Sequence, residues 1–139
     1  MPIPSEYQRA SLDFEKFLLD ARESSGLVTT NQVYTMVQGV LQTFRRRLTV
    51  PEAVHFVGVL PPVLRSIFVA DWDMDEPRRS FGNRVEMTQE VQSLRAEHNL
   101  APDIAIRATA VALRKNIDEA RLDNVLAHLP AAARDFWQP

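Results

Sequence analysis

The sequence predicts an all-α protein, a compact orthogonal helical bundle built from two similar four-helix halves. Two observations carry that expectation. The stretch Leu60-Pro61-Pro62-Val63-Leu64-Arg65-Ser66-Ile67-Phe68 recurs 69 residues later as Leu129-Pro130-Ala131-Ala132-Ala133-Arg134-Asp135-Phe136-Trp137. Both read Leu-Pro, three small or apolar residues, Arg, one polar residue and two large apolar residues. Between these stretches the apolar residues recur at steps of three and four, the period of a helix with one buried face. A chain of 139 residues is most simply one domain. At that size roughly 70% of the unfolded surface can be buried, so a core forms without staples.

The elements follow in order. Ser5 and Gln8 fit a capping box, and Tyr7, Phe14, Phe17, Leu18 and Ala21 fall near helical spacing. This predicts a helix from Ser5 to Ser25, with a break expected near Ser11 and Gly26 closing it. Thr29, Thr30 and Asn31 offer caps for a second helix carrying Val33, Val37, Val40, Leu41, Phe44 and Leu48. Its β-branched content favours strand, but the period is helical and decides. Arg45, Arg46 and Arg47 fall in its last turn, where cations complement the helix dipole. A third helix starts at Thr49-Val50-Pro51-Glu52, with Pro51 in the first turn, and runs through Phe56 to Leu60. Pro61 ends it and opens a fourth, apolar helix through Val69. Asp71 to Asn83, with Pro77, Gly82 and many charges, reads as an exposed linker.

The second half repeats the scheme. Met87, Val91, Leu94 and Leu100 match Phe14, Leu18, Ala21 and Leu27 at an offset of 73. Ile106, Ala110, Leu113 and Ile117 match Val37, Leu41, Phe44 and Leu48 at 69. The lost residues amount to about one helical turn, so the second copy is expected to have a shorter second helix or connection. Asp118-Glu119 stands at a helix start where Val50-Pro51 stands in the first copy, and Leu122, Val125, Leu126 and Leu129 carry that helix on. Gly39 falls opposite Ala108 and Gly58 opposite Ala127. Small residues at the same place in both copies predict close helix approach, with alanine tolerated at either glycine. The single domain, 1–139, thus divides into repeats at 5–70 and 84–137, joined by 71–83.

Paired units ending in Leu-Pro-x-x-x-Arg-x-x-aromatic, with Asp71-Trp72-Asp73 after the first, resemble a bacterial family of uncharacterised proteins. That family is catalogued as domain of unknown function number two thousand two hundred and sixty-seven. The resemblance covers nearly the whole chain. It implies a duplicated all-helical domain in a bacterial cytosolic protein, and it brings no established activity, cofactor or catalytic residue.

Composition narrows the function classes. Without cysteine there is no disulfide, thiolate metal site or cysteine nucleophile. A net charge of −2 with acids and bases mixed provides no domain-wide basic field, so nucleic acid is not expected as a partner. The N-terminus lacks the basic start and apolar run of a secretory signal. The most apolar stretch, Phe56 to Ala70, is cut by Pro61, Pro62 and Arg65, too short and broken to span a bilayer. A soluble, cytoplasmic protein without membrane contact is the expectation.

No stretch assigns a chemistry. The alternating acids Asp71, Asp73, Asp75 and Glu76 invite a calcium-loop reading, but Glu76 stands where that loop needs glycine and Gly82 where it needs glutamate. They read instead as a solvated linker, with Arg78, Arg79 and Arg84 near enough to pair with them. His55, His98 and His128 have no metal-ligand spacing to one another and read as ordinary polar positions. Arg45, Arg46 and Arg47, with Arg114 and Lys115 at the aligned places, form a basic spot on each copy. A phosphate patch is one reading, and a solvated helix end is the favoured one. No catalytic, cofactor-binding or metal-ligating set is found, and no cofactor is expected.

The residues singled out are therefore those of the motif: Leu60, Pro61, Arg65 and Phe68, with Leu129, Pro130, Arg134 and Trp137. Arg65 and Arg134 are expected to lay their stems along the core and give their guanidinium donors to carbonyls ending a neighbouring helix, or to an acid in the same half. The functional alternative is an anion held from a partner. Trp137 is expected in the core, and Trp72 is the candidate surface contact. The leading function is a non-catalytic helical interaction or regulatory module with a protein partner at a groove between the halves. The alternative is a binder of a small or lipid-like ligand in an apolar pocket between helices. An enzyme ranks third.

Overall fold

Helix caps written into the sequence decide where each segment of the chain starts and stops. The computed structural model describes residues 1–139 and contains nine α-helices and no strand. In chain order they are α1 (Ser5–Gln8), α2 (Ala10–Ser25), α3 (Thr30–Arg45), α4 (Val50–Val57), α5 (Pro62–Val69), α6 (Arg84–Ser93), α7 (Ala105–Asn116), α8 (Glu119–Ala127) and α9 (Ala131–Phe136). A short 3-10 turn, Ala96–His98, lies between α6 and α7.

The caps of α3 and α4 are reciprocal. The Thr29 hydroxyl accepts from the Gln32 N–H at 3.2 Å, and the Gln32 side chain accepts from the Thr29 N–H at 3.2 Å. Thr49 and Glu52 do the same for α4. Asn83 and Asp118 cap α6 and α8. Each such cap contributes about 1 kcal/mol. Gly26 closes α2 at φ 79°, a left-handed position that glycine adopts without a Cβ penalty. The N-terminus differs from expectation. Pro4 takes the extended entry position, so Ser5 is the first helical residue and caps nothing. The expected break near Ser11 falls at Arg9 (φ −105°, ψ 12°), two residues earlier.

α3 is the central helix and is buried on almost every side from Thr35 to Arg45. That explains why it tolerates so many β-branched residues: tertiary packing outweighs propensity. Around its C-terminal half lies an aromatic cluster. The Phe44 ring sits 4.7 Å from Phe56, 5.0 Å from Phe136 and 5.3 Å from Trp137, while Phe56 stacks on Trp137 at 5.6 Å. Phe68 joins through Phe56 at 5.5 Å. All five rings are buried, and one core cluster contains them. α2 packs chiefly along α7, and α3 lies along α6.

Gly39 is where α3 meets α6. A Cβ there would stand 2.9 Å from the Val91 carbonyl oxygen and 3.1 Å from Val91 Cγ1. The close approach is real, and alanine does not fit without a shift of backbone, contrary to the expectation that alanine is tolerated. Gly58 departs in the other direction. A Cβ there meets only the His55 and Val54 carbonyls of its own turn, the nearer at 3.5 Å. Gly58 follows α4 at an exposed turn, where the side chain of Arg121 on α8 reaches its carbonyl at 3.4 Å but nothing beyond its own turn faces the Cβ position.

Starts of matching helices keep one spacing. α4 and α8 begin 69 residues apart, as do α5 and α9. α3 has 16 residues and α7 has 12. Pro61 and Pro130 occupy the extended position before α5 and α9 (ψ 159° and 150°), so each stands just outside its helix. No helix is long and apolar enough to cross a membrane.

Candidate functional site

Of the closing-motif residues, Leu60, Phe68 and Trp137 are core and Leu129 is half-buried against it. The two arginines separate. Arg65 behaves as expected: its Nε donates to the Leu60 carbonyl at 2.6 Å, and Nη2 donates to Glu6 at 3.1 Å, tying α1 to the α4–α5 turn. Arg134 does not, since its side chain is exposed and reaches no carbonyl or acid. The end of α9 is served instead by other arginines. Arg84 donates to the carbonyls of Phe136 and Asp135 at 3.1 and 3.0 Å, and Arg114 donates to that of Trp137 at 3.0 Å.

The guanidinium that ends α5 is Arg45. Its Nη1 donates to the carbonyls of Phe68 at 2.8 Å and Ala70 at 3.0 Å. Arg45 and Arg114 stand 69 residues apart, and so do the two acceptors, Phe68 and Trp137. A carbonyl left over at a helix C-terminus needs a donor, and a guanidinium can serve several at once. The role expected of Arg134 is thus carried by a different aligned pair.

The reading of Arg45, Arg46 and Arg47 as a solvated helix end is overturned. Arg45 is 2% and Arg47 7% exposed. Arg47 grips Glu90 with both terminal nitrogens, at 2.9 and 3.1 Å, and also donates to the Thr43 carbonyl at 2.8 Å. Arg46 approaches Glu90 at 3.4 Å and Glu76 at 3.5 Å. Arg79 pairs with both acids and donates its backbone N–H to the Arg46 carbonyl at 2.9 Å. Burial pushes the Glu90 carboxyl up, and the hydrogen bonds and charges of Arg47 and Arg79 outweigh this, holding it below the usual carboxylate range. The linker expected to be solvated is thus fastened to α3 and α6, with Trp72, Glu76 and Phe81 half-buried. At the position 69 residues after Arg47, Asn116 donates to Asp20 at 2.8 Å, and this hydrogen bond holds the Asp20 carboxyl low against its partial burial.

This fastening leaves an open cleft of about 210 Å³ between the linker and the α3–α4 corner. Arg45, Arg46 and Arg78 line it with Trp72, Met74 and Val50. The Arg45 guanidinium carbon lies 5.2 Å from the centre of the Trp72 ring, within cation–π range, and Trp72 meets Phe68 edge-on at 6.3 Å. Arg45 has no carboxylate partner, and its buried Nε has no acceptor. Burial pulls its pKa below the ordinary arginine value, and the neighbouring Arg46 adds to this against Glu76 and Asp71. Arg78 is exposed and engages no acid. The three histidines are all exposed and far apart in sequence.

A family model described as an uncharacterised conserved protein, DUF2267, matches residues 14–136. The chain belongs to this family. No curated protein matches it at a significant level. The match runs from within α2 to the end of α9 and so includes the first closing motif, the second up to Phe136, the fastened linker and the cleft. In this DUF2267 chain Trp72, the candidate surface contact, lines the cleft, whereas Glu90 was not among the candidates. A signal was present: at the offset of 73, Glu90 aligns with Phe17, a core residue. A carboxylate at a core position needs a cationic partner.

Proposed function

We propose that this protein is a non-catalytic helical interaction or regulatory module, an orthogonal bundle of two similar halves, working in the cytoplasm through the Trp72 cleft. The carrying observation is Arg45, a buried guanidinium with no carboxylate partner that lines an open cleft beside a half-buried tryptophan. Such a group recognises a partner's anionic atom, and the tryptophan supplies apolar contact beside it. The groove formed by the linker and the α3–α4 corner replaces the groove expected between the halves. The repeated spacing of α4 with α8 and α5 with α9, and the matched pairs Arg45–Phe68 and Arg114–Trp137, support the two-half reading.

A second reading, a small-ligand binder, is favoured by the size of the same cleft, which suits a group of about one ring. Affinity capture from native cell extract, analysed for proteins and small molecules, tests both. A species held by the native chain and lost from Trp72→Ser is expected. Identical profiles for the two chains would remove this cleft from the function.

A further inference from the structure

The two structural arginines provide an internal comparison. Arg114 donates to the Trp137 carbonyl and also pairs through Nη1 with the Asp123 carboxylate at 3.0 Å. Arg45 donates to the equivalent carbonyl, that of Phe68, but the residue matching Asp123 is Val54, 69 positions earlier. Val54 is 62% exposed on α4, one turn beyond Val50 at the mouth of the cleft. The first copy therefore keeps the guanidinium and lacks its carboxylate. Where the second copy has an acid, the first has an open cleft.

We propose that the Arg45 cleft is a carboxylate-binding site, which takes from outside the acid that Asp123 supplies to Arg114 within the chain. This rests on the reading of the Trp72 cleft as the working surface. The ligand chemistry follows from the walls. Arg45 Nη1 is engaged on two carbonyls, while its Nη2 makes no hydrogen bond within the chain. Arg46 Nη2 is likewise without a partner, and Arg78 is wholly uncommitted. Asp73 and Glu76 also face the cleft, but Glu76 is held by Arg46 and Arg79. Among the lining residues two acids stand against three guanidinium groups, with Asp71 also acting on Arg45 from beyond the lining, so the site suits a single carboxylate and not a polyanion. Trp72, Met74 and Val50 ask for an apolar body next to that charge. The class is thus a monocarboxylate on a ring-sized apolar group. It is supplied either as a free acid or as an aspartate beside an aromatic residue of a protein.

Four probes added to the intact chain test this: phenylacetate, the blocked dipeptide acetyl-Asp-Phe-amide, phenylacetamide and inorganic phosphate. The readout is the indole N–H signal of Trp72 in nitrogen-15 NMR spectra, assigned with Trp72→Phe. Saturable shifts with phenylacetate or the dipeptide are expected, the tighter of the two naming the source. Phenylacetamide should bind at least tenfold more weakly. Val54→Asp, which restores the acid of the second copy, should weaken phenylacetate at least tenfold while melting at or above the native temperature. Arg78→Gln, an exposed change, should weaken it about threefold and carries the test should Val54→Asp fail to fold. Equal binding of phenylacetate and phenylacetamide overturns the proposal, as does full affinity in a folded Val54→Asp. Saturation by phosphate alone overturns the carboxylate assignment but leaves the cleft reading standing. Silence from all four probes, with extract capture indifferent to Trp72→Ser, removes both.

Discussion

Gly39 and Gly58 occupy matching kinds of position in the sequence and opposite ones in space. The Gly39 Cα faces the Val91 backbone, and a methyl group added there meets a carbonyl oxygen at 2.9 Å. Backbone of a packed helix does not yield as a side chain does, so Gly39→Ala should cost about 1–3 kcal/mol. Gly58 has an ordinary right-handed φ of −63° and open surroundings, so Gly58→Ala should leave stability unchanged or raise it by about 0.5 kcal/mol. Urea titration of both variants reads this directly, and equal midpoints would contradict the packing at Val91. The arginines make a second residue-scale test. Arg45→Met and Arg114→Met each strand helix-terminal carbonyls and should lower stability by about 1–3 kcal/mol. Arg134→Met should melt as the native chain does. Sequence spacing showed that an aligned arginine matters but not which one, because the motif arginine and the helix-end arginine recur at the same offset of 69. Only the fold decides that α5 and α9 end beneath Arg45 and Arg114 and leave Arg134 in solvent.

At the scale of elements, the Glu90 cluster joins three pieces: the end of α3 through Arg46 and Arg47, α6 through Glu90 itself, and the linker through Glu76 and Arg79. Its stabilisation depends on a charged carboxylate. The folded pKa of Glu90 lies below the unfolded value, so its contribution is fully present above the ordinary glutamate range, near pH 4.3, and is lost as pH falls through the folded value. A chain carrying Glu90→Gln should therefore be less stable at pH 7 by about 3 kcal/mol, since Arg47 is left buried without its acid. The gap to the native chain should shrink as pH falls below about 4. A constant gap from pH 7 to pH 3 would show that Glu90 acts by packing alone. The helices themselves were legible in the sequence because caps and periodicity are local: Thr29, Thr49 and Gly26 stand where the readings put them. The cluster was illegible because its members are far apart in sequence. The run Arg45-Arg46-Arg47 looks like any basic helix end until α6 and the linker are folded against it.

For the whole molecule, the decisive feature is which helix covers which. α2 lies on α7 and α3 on α6, so the first long helix of each proposed half rests on the second helix of the other. The aromatic cluster is shared in the same way, with Phe44, Phe56 and Phe68 from the first half around Phe136 and Trp137 from the second. The sequence predicts a single domain, and this packing interlocks its proposed halves. A chain of about 70 residues is already marginal in the surface it can bury, and here each half would also expose the faces that its counterpart covers. Separate fragments 1–75 and 76–139 should each show little helix by circular dichroism and no cooperative melt. Mixed at equal concentration, they should recover helicity, bury Trp137 again and melt in one transition whose midpoint rises with concentration, as association requires. Fragment 1–75 retains the packing of α3 on α2 and α5, the Phe44–Phe56–Phe68 rings and the Arg45 clamp on Phe68, so it is the stricter test. A cooperative melt from that fragment alone would mean that α3 is held by its own half, and that α6 and α7 are additions to a finished unit.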